Sequence, residues 1–202
     1  YFDNVDQYQV LPSIEPGDIR NMLPVSAPEK AESMDEIIAD LDRIVMPGVA
    51  HWQHPGWYAF FPSGASPVSA LGEFVAAGLA TQGMMWSTAP AATEIENAVL
   101  DWLVDLLGLP SSWRLDTGPG GGVIQMSASD STHLSLAVTR HQFEMSGADA
   151  NSLVAYGSSQ AHSSIEKGAR IAGFKHIRSV PVTQTFEINA DVFSKIVQKD
   201  ID

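Results

Sequence analysis

The 202 residues carry 24 acidic and 11 basic side chains, a net charge of −13. That excess argues against a nucleic-acid partner, whose phosphates it would repel. Cysteine is absent, which removes disulfides, thiolate nucleophiles and Cys-ligated metals and is compatible with a reducing cytoplasm. A hydrophobic share of 45% suits a globular protein with one sizeable domain, or a domain with an appendage.

Taken in order, the first 28 residues are punctuated by Pro12, Pro16, Pro24 and Pro28. Glu15-Pro16-Gly17-Asp18 reads as a turn into a short helix that ends before Pro24. With little core of its own, this segment is expected to lie across another surface, such as a second subunit. Ser33 then opens a packing helix in which Met34, Ile37, Ile38, Leu41, Ile44 and Val45 keep helical spacing until Pro47-Gly48 stops it. Residues 51–66, HWQHPGWYAFFPSGAS, hold seven aromatic or imidazole rings within eleven positions. Rings crowded without a period line a pocket or an interface, with plain packing as the alternative. His51 and His54 lack a third ligand at helical spacing, so no metal is expected.

The apolar stretch from Ala65 to Trp86 is interrupted by Glu73, Thr81, Gln82 and glycines, and predicts a buried helix over 67–80 rather than a membrane span. No apolar leader precedes it, which points to a cytoplasmic protein without a membrane partner. A second amphipathic helix is predicted over 92–107, with Ile95, Val99, Leu103 and Leu106 as its inward stripe and Trp102 beside it.

The stretch Thr117 to Met145 organises the rest. Glycines 118 and 120–122 surround Pro119 and lead through Val123-Ile124 to Ser127, Ser129, Ser131 and Thr132. A helix follows, with Leu134, Leu136, Ala137 and Val138 on its apolar face. Free N–H groups and the positive end of a helix dipole make such a junction an anion site, to which Ser127 and Ser129 add hydroxyls. A plain serine N-cap is the alternative. The pattern is neither G-x-x-x-x-G-K-[ST] nor G-x-G-x-x-G, which excludes a P-loop and disfavours a dinucleotide fold. Beyond it, a strand at 152–156, a helix at 164–172, a strand at 175–182 and a helix at 191–198 give the βαβ pattern of a parallel α/β sheet. His162 follows the first strand, where open α/β sheets bind ligands. Packing of the strand end is its alternative role. No G-x-S-x-G nucleophile elbow supports a Ser-His-Asp hydrolase.

Six stretches, EPGDIRNMLP, MDEIIADLDRIVMPGVAHWQHP, YAFFPS, PAATEIENAVLDWL, GGGVIQMSASDST and LVAYGSSQAHSSIEKGARIAG, occur in an order that resembles the pyridoxal-phosphate-dependent group II decarboxylases, specifically the aromatic-L-amino-acid decarboxylases. The resemblance implies an α/β architecture of pyridoxal-phosphate fold type I, aminotransferase-like and truncated. Residues 1–66 would form a helical dimerisation segment on the partner subunit, and residues 67–202 the first part of the cofactor-binding large domain. It implies that Ser127, Ala128 and Ser129 hold the cofactor phosphate, that His162 stacks on the pyridine ring as the catalytic residue, and that Ser63 lies close to the cofactor. Trp52, Phe61, Pro62 and Ser63 would edge the substrate pocket. Gln82 and Met84 stand where the family presents apolar and aromatic side chains from the neighbouring subunit, a departure that bears on which aromatic substrate fits.

The reaction implied is decarboxylation of an aromatic L-amino acid to its amine in a homodimer with shared active sites. The family's Schiff-base lysine, in a His-Lys pair, and the Asp that pairs with the pyridine nitrogen have no counterpart here. Lys30, Lys167, Lys175, Lys195 and Lys199 all stand in other contexts, so a C-terminal part of the same enzyme is expected as a partner. The alternatives are a decarboxylating aldehyde synthase, disfavoured by His162, and an acidic amino acid decarboxylase, disfavoured by the aromatic 51–63 stretch. A non-catalytic fragment is the alternative of another class.

Overall fold

The computed structural model describes residues 1–61 and 64–202. The chain divides into two compact units, Tyr1–Ala89 and Pro90–Asp202.

In the first unit, helix α1 (Asp18–Met22) starts after Gly17, whose φ of +106° is the left-handed region that glycine enters without strain. Helix α2 (Met34–Asp40) begins with a capping box: Ser33 Oγ accepts the Glu36 N–H, and the Glu36 carboxylate accepts the Ser33 N–H at 2.8 Å. That backbone hydrogen bond from Ser33 holds the Glu36 carboxyl below its ordinary range. The helix expected to run to Val45 changes winding at Leu41, passing through a π turn (Leu41–Val45) and a 3-10 turn (Met46–Gly48). Pro47 explains the change, because its ring would collide with the carbonyl four residues back in a regular helix. Ile44 is buried there, whereas Met34, Ile37, Ile38 and Leu41 are about half exposed or more.

Helix α3 (Pro67–Leu79) also opens on a capping box, between Ser66 and Ser69. It was expected to be buried. Instead none of its residues is, and Phe74 is 76% exposed. The sequence supplies an apolar helix, and nothing among the described residues covers it.

The second unit opens with α4 (Pro90–Leu106). Its expected inward stripe is also corrected: Asp101 and Val104 are the buried positions, while Ile95, Trp102, Leu103 and Leu106 are exposed. The covered side is turned toward the segment that follows, where Asp101 accepts the Leu115 and Asp116 N–H groups at 2.8 and 3.3 Å. A helix side engaged by backbone donors needs an acceptor rather than a hydrocarbon.

The α/β arrangement lies beyond. Helix α5 (Ala128–Met145) precedes strand β1 (Val154–Ser158), helix α6 (Ser164–Ile171), strand β2 (His176–Val180) and helix α7 (Ala190–Ile201). The two strands are parallel, with Val154 opposite His176 and Ser158 opposite Val180. Ala155, Ala169 and Phe174 form the core, with Leu136, Leu153, Ala172 and Ile177 packed on it. Small residues at its centre bring the α5 and α6 backbones close. On α5 the expected apolar face divides, Leu136 entering this core while Leu134, Ala137 and Val138 stay exposed.

Two devices tie these layers. Arg140 of α5 donates to the Ala172 carbonyl at 2.9 Å and pairs with Glu144, closing the C-terminal end of α6 beside Gly173. On the sheet's other side, the Asp200 carboxylate of α7 accepts from the Tyr156 hydroxyl at 2.9 Å and from Arg178 at 2.7 Å, so one acid joins β1, β2 and α7. Tyr156 also meets Phe193 edge-to-face at 5.4 Å.

Two stability predictions follow from these ties. Gly173 has a φ of +85°, and a Cβ there would lie 1.9 Å from an Arg140 guanidinium nitrogen. Gly173→Ala should therefore cost about 2–3 kcal/mol, from left-handed strain and the displaced cap, measured as a lower midpoint in urea. The Arg178 guanidinium and the Tyr156 hydroxyl hold the Asp200 carboxyl below its ordinary range. A depressed carboxyl contributes stability above its unfolded value, near 3.9, that is lost as pH falls through the folded value. Asp200→Asn should lower the melting temperature near neutrality and flatten its fall below about pH 4. Parallel curves for parent and variant from pH 6 to 2 would remove this role.

Candidate functional site

The glycine segment rests on the turn before it. A Cβ at Gly120 would fall 2.1 Å from the Trp113 carbonyl, and the Gly121 N–H donates to that carbonyl at 2.9 Å. Only a residue without a side chain permits this approach. The chain leaves the turn through Ile124, whose N–H donates to Glu96 of α4 at 2.7 Å, and reaches Ser127 three residues later.

Ser127 is the N-cap of the 18-residue α5. Its Oγ accepts the Asp130 N–H at 3.2 Å and donates to the Asp130 carboxylate at 2.8 Å. The serine cap is thus realised. It leaves the Ala128 and Ser129 N–H groups without a hydrogen-bond partner among the described residues, and both residues are exposed. Two orphan donors at the positive end of a long helix, with the Ser129 hydroxyl beside them, suit an anion with several oxygens.

His162 occupies the loop between β1 and α6. The Ser159 N–H donates to the Val180 carbonyl at 2.8 Å and the Ala161 N–H to the Ser158 carbonyl at 2.9 Å, which fixes the loop on the strand ends. His162 Nδ1 accepts the Ser164 N–H at 3.2 Å and lies 3.0 Å from Ser164 Oγ. A backbone N–H can only donate, so the neutral ring carries its proton on Nε2. The ring is exposed and borders a cavity of about 240 Å³ with Ser159, Ser163, Glu166 and Arg178.

Packing places these two groups at one end of the layer. His133 and Leu136 of α5 meet Gly168 of α6, and Arg140, further along α5, meets Ala172 and Gly173. The contacts advance in the same direction along both helices, so the helices run parallel and begin together. Because β1 feeds α6, that shared end is the C-terminal end of the parallel strands, where α/β sheets bind ligands.

The remaining expected site residues lie in the first unit. Trp52 stacks on Trp57 at 4.9 Å and on Phe60 at 5.7 Å, while Phe61 is fully exposed. Phe60 has a φ of +55°, a strained conformation for a bulky residue, of the kind that clusters at ligand clamps. Pro62 and Ser63 lie outside the described residues. Gln82 and Met84 sit on an exposed turn that Thr88 closes, its hydroxyl donating to the Gln82 and Met85 carbonyls at 2.8 and 3.0 Å. The histidines of the 51–54 pair are engaged within the chain. His51 is 3% exposed, stacked on Tyr8 and bonded to the Tyr1 hydroxyl, and His54 accepts the Gly56 N–H. Among the described residues no group of three His, Asp or Glu could hold a metal ion.

The sequence sets Ser158, Ser159, Ser163 and Ser164 around His162, and the structure selects Ser164 as the one that holds its ring. Glu96 carries no sequence signal, because 28 residues separate it from Ile124.

Residues 16–202 match the family model described as the pyridoxal-dependent decarboxylase conserved domain. The chain is 39% identical to an aromatic-L-amino-acid decarboxylase of Catharanthus roseus, over 100% of this chain and 41% of that protein. It is also 39% identical to a histidine decarboxylase of Mus musculus, over 99% of this chain and 32% of that protein. Among solved structures, 4-hydroxyphenylacetaldehyde synthase of Rhodiola rosea is similar at 36% identity with a TM-score of 0.90, covering 100% of this chain and 44% of that one. The chain thus spans from 32% to 44% of the length of these relatives.

Proposed function

The chain belongs to the pyridoxal-dependent decarboxylases, with the α/β large domain of pyridoxal-phosphate fold type I, and from that premise we propose that it carries the phosphate- and ring-binding part of an enzyme that decarboxylates an aromatic L-amino acid to its amine. The observation that carries the reading is the pairing of the orphan Ala128 and Ser129 N–H groups with His162 at one end of the sheet.

The residues present fit pyridoxal phosphate: two free amides and a hydroxyl suit a dianionic phosphate, and an exposed imidazole suits the face of a flat ring. When bound, the cofactor supplies the electron sink for the pair left on Cα as CO2 departs. Ala128 and Ser129 hold the phosphate, with Ser127 supporting them from the cap. Ser63 stands with the cofactor-binding residues. His162 fixes the ring's tilt and, with its proton on Nε2, holds or delivers a proton close to Cα. Trp52, Phe61, Pro62 and Ser63 edge the pocket for the substrate's side chain. Gln82 and Met84 come to that pocket from the neighbouring subunit of a homodimer, residues 1–66 packing on that subunit and 67–202 forming the first part of the large domain. The Schiff-base lysine is supplied from outside these 202 residues. The substrate side chain is flat and aromatic, a class that includes imidazole as well as phenol and indole, in keeping with the Trp52–Trp57–Phe60 stack.

Turnover of a panel of amino acids by the protein that contains this chain, with CO2, amine and aldehyde measured together, tests the reading. Amine equal to CO2 for aromatic substrates is expected. Aldehyde in place of amine, or preference for acidic substrates, would replace it.

Two substitutions test the residues. Ser129→Ala removes a charge-assisted hydrogen bond worth roughly 1.5–3 kcal/mol, so cofactor affinity should fall about tenfold to a hundredfold in a titration. An unchanged dissociation constant would place the phosphate elsewhere. His162→Gln keeps a hydrogen-bonding side chain but loses the aromatic face and the imidazole's proton-transfer capacity. Cofactor content and melting temperature should stay near the parent's while kcat falls by about a hundredfold or more. A lower melting temperature with full turnover per bound cofactor would make His162 a packing residue.

A further inference from the structure

The glycine segment gains backbone freedom from the residues that let it pack, and that freedom has to be removed before the Ala128 and Ser129 N–H groups can present a fixed anion site. Helix α4 removes it with two carboxylates. Asp101, 7% exposed, accepts the Leu115 and Asp116 N–H groups ahead of the glycines. Arg114 bridges Asp105 and Asp116 across the same turn. Glu96, five residues earlier on α4, accepts the Ile124 N–H at 2.7 Å just after the glycines. Five residues of helix are about 7.5 Å, so the two acids grip the segment at its entry and at its exit. Leu100, between them on α4, lies against Gly122. Ile124 is three residues from Ser127, a distance of at most about 11 Å of chain. A fixed Ile124 therefore confines the start of α5.

We propose that Glu96 is a positioning residue for the phosphate site: by holding Ile124 through its backbone it sets where Ala128 and Ser129 present their N–H groups. This rests on the decarboxylase reading above. Glu96 touches neither cofactor nor substrate; it acts through the main chain, so its side-chain oxygen matters and its charge does not. A Gln retains that oxygen and an Ala does not, which gives the role a signature.

The test combines amide hydrogen exchange of the cofactor-free protein with pyridoxal phosphate titration of Glu96→Ala and Glu96→Gln. In Glu96→Ala, exchange should accelerate at Ile124 and its neighbours within 121–126, with α4 and the body of α5 unchanged. The cofactor dissociation constant should rise about tenfold, the scale of one ordinary backbone hydrogen bond. Glu96→Gln should keep both properties within about threefold of the parent. Three outcomes would overturn the proposal: no acceleration at Ile124 in Glu96→Ala, acceleration spread through α4 and α5, or local acceleration with an unchanged dissociation constant. Failure of the parent to bind pyridoxal phosphate would instead overturn the decarboxylase reading, and the positioning role with it. That result is visible before any substitution is made.

Discussion

The contact between α5 and α6 at Gly168 is the constraint on which the site depends. A Cβ at that position would lie 3.0 Å from the His133 ring and 3.1 Å from a Leu136 methyl, so a side chain there would have to push both aside by a few tenths of an ångström. Ala169, 0% exposed, continues the same close face into the core. Because the helices are parallel and in this register, the serine-capped start of α5 and the His162 loop ahead of α6 share a level. Neither group would meet a common ligand if the helices were antiparallel, since their starts would then lie at opposite ends of the layer.

Carboxylates do much of the remaining positioning, and each does it by accepting hydrogen bonds. Asp200 gathers the Tyr156 hydroxyl and Arg178 from two strands, Asp101 receives two backbone N–H groups, and Glu96 receives a third. An ionised carboxylate has several acceptor positions and no donor, which suits it to satisfy irregular backbone that no secondary structure pairs. Part of the acidic excess that argued against nucleic acid is therefore internal scaffolding rather than a surface field.

The apolar faces of α2, α3 and α4 behave differently. Their periodicity is clear in the sequence, yet Met34, Ile37, Phe74, Leu79, Ile95 and Leu106 are exposed. An amphipathic stripe records that a face favours leaving water, and it carries no information about which polypeptide receives it. Exposed apolar faces of this extent belong with interfaces, in keeping with a chain that spans less than half of the relatives it matches.

The sequence by itself determined the local structure. Ser33 and Ser127 announced helix starts, because a short hydroxyl one residue before a helix has an N–H within reach. The strand–helix–strand order announced a parallel sheet, because no short turn can join parallel strands. It also singled out Ser127–Ser129 and His162, since glycine-to-helix junctions and strand ends are where free donors collect. The tertiary structure alone decided what depends on distance across the chain. It turned α4 to face Leu115 and Asp116 with Asp101 and left Ile95 in water. It rewound α2 ahead of Pro47, fixed the His162 tautomer through Ser164, and set Glu96 against Ile124. A helix period fixes which residues share a face, whereas the partner of that face is chosen by packing between segments that lie far apart in the chain.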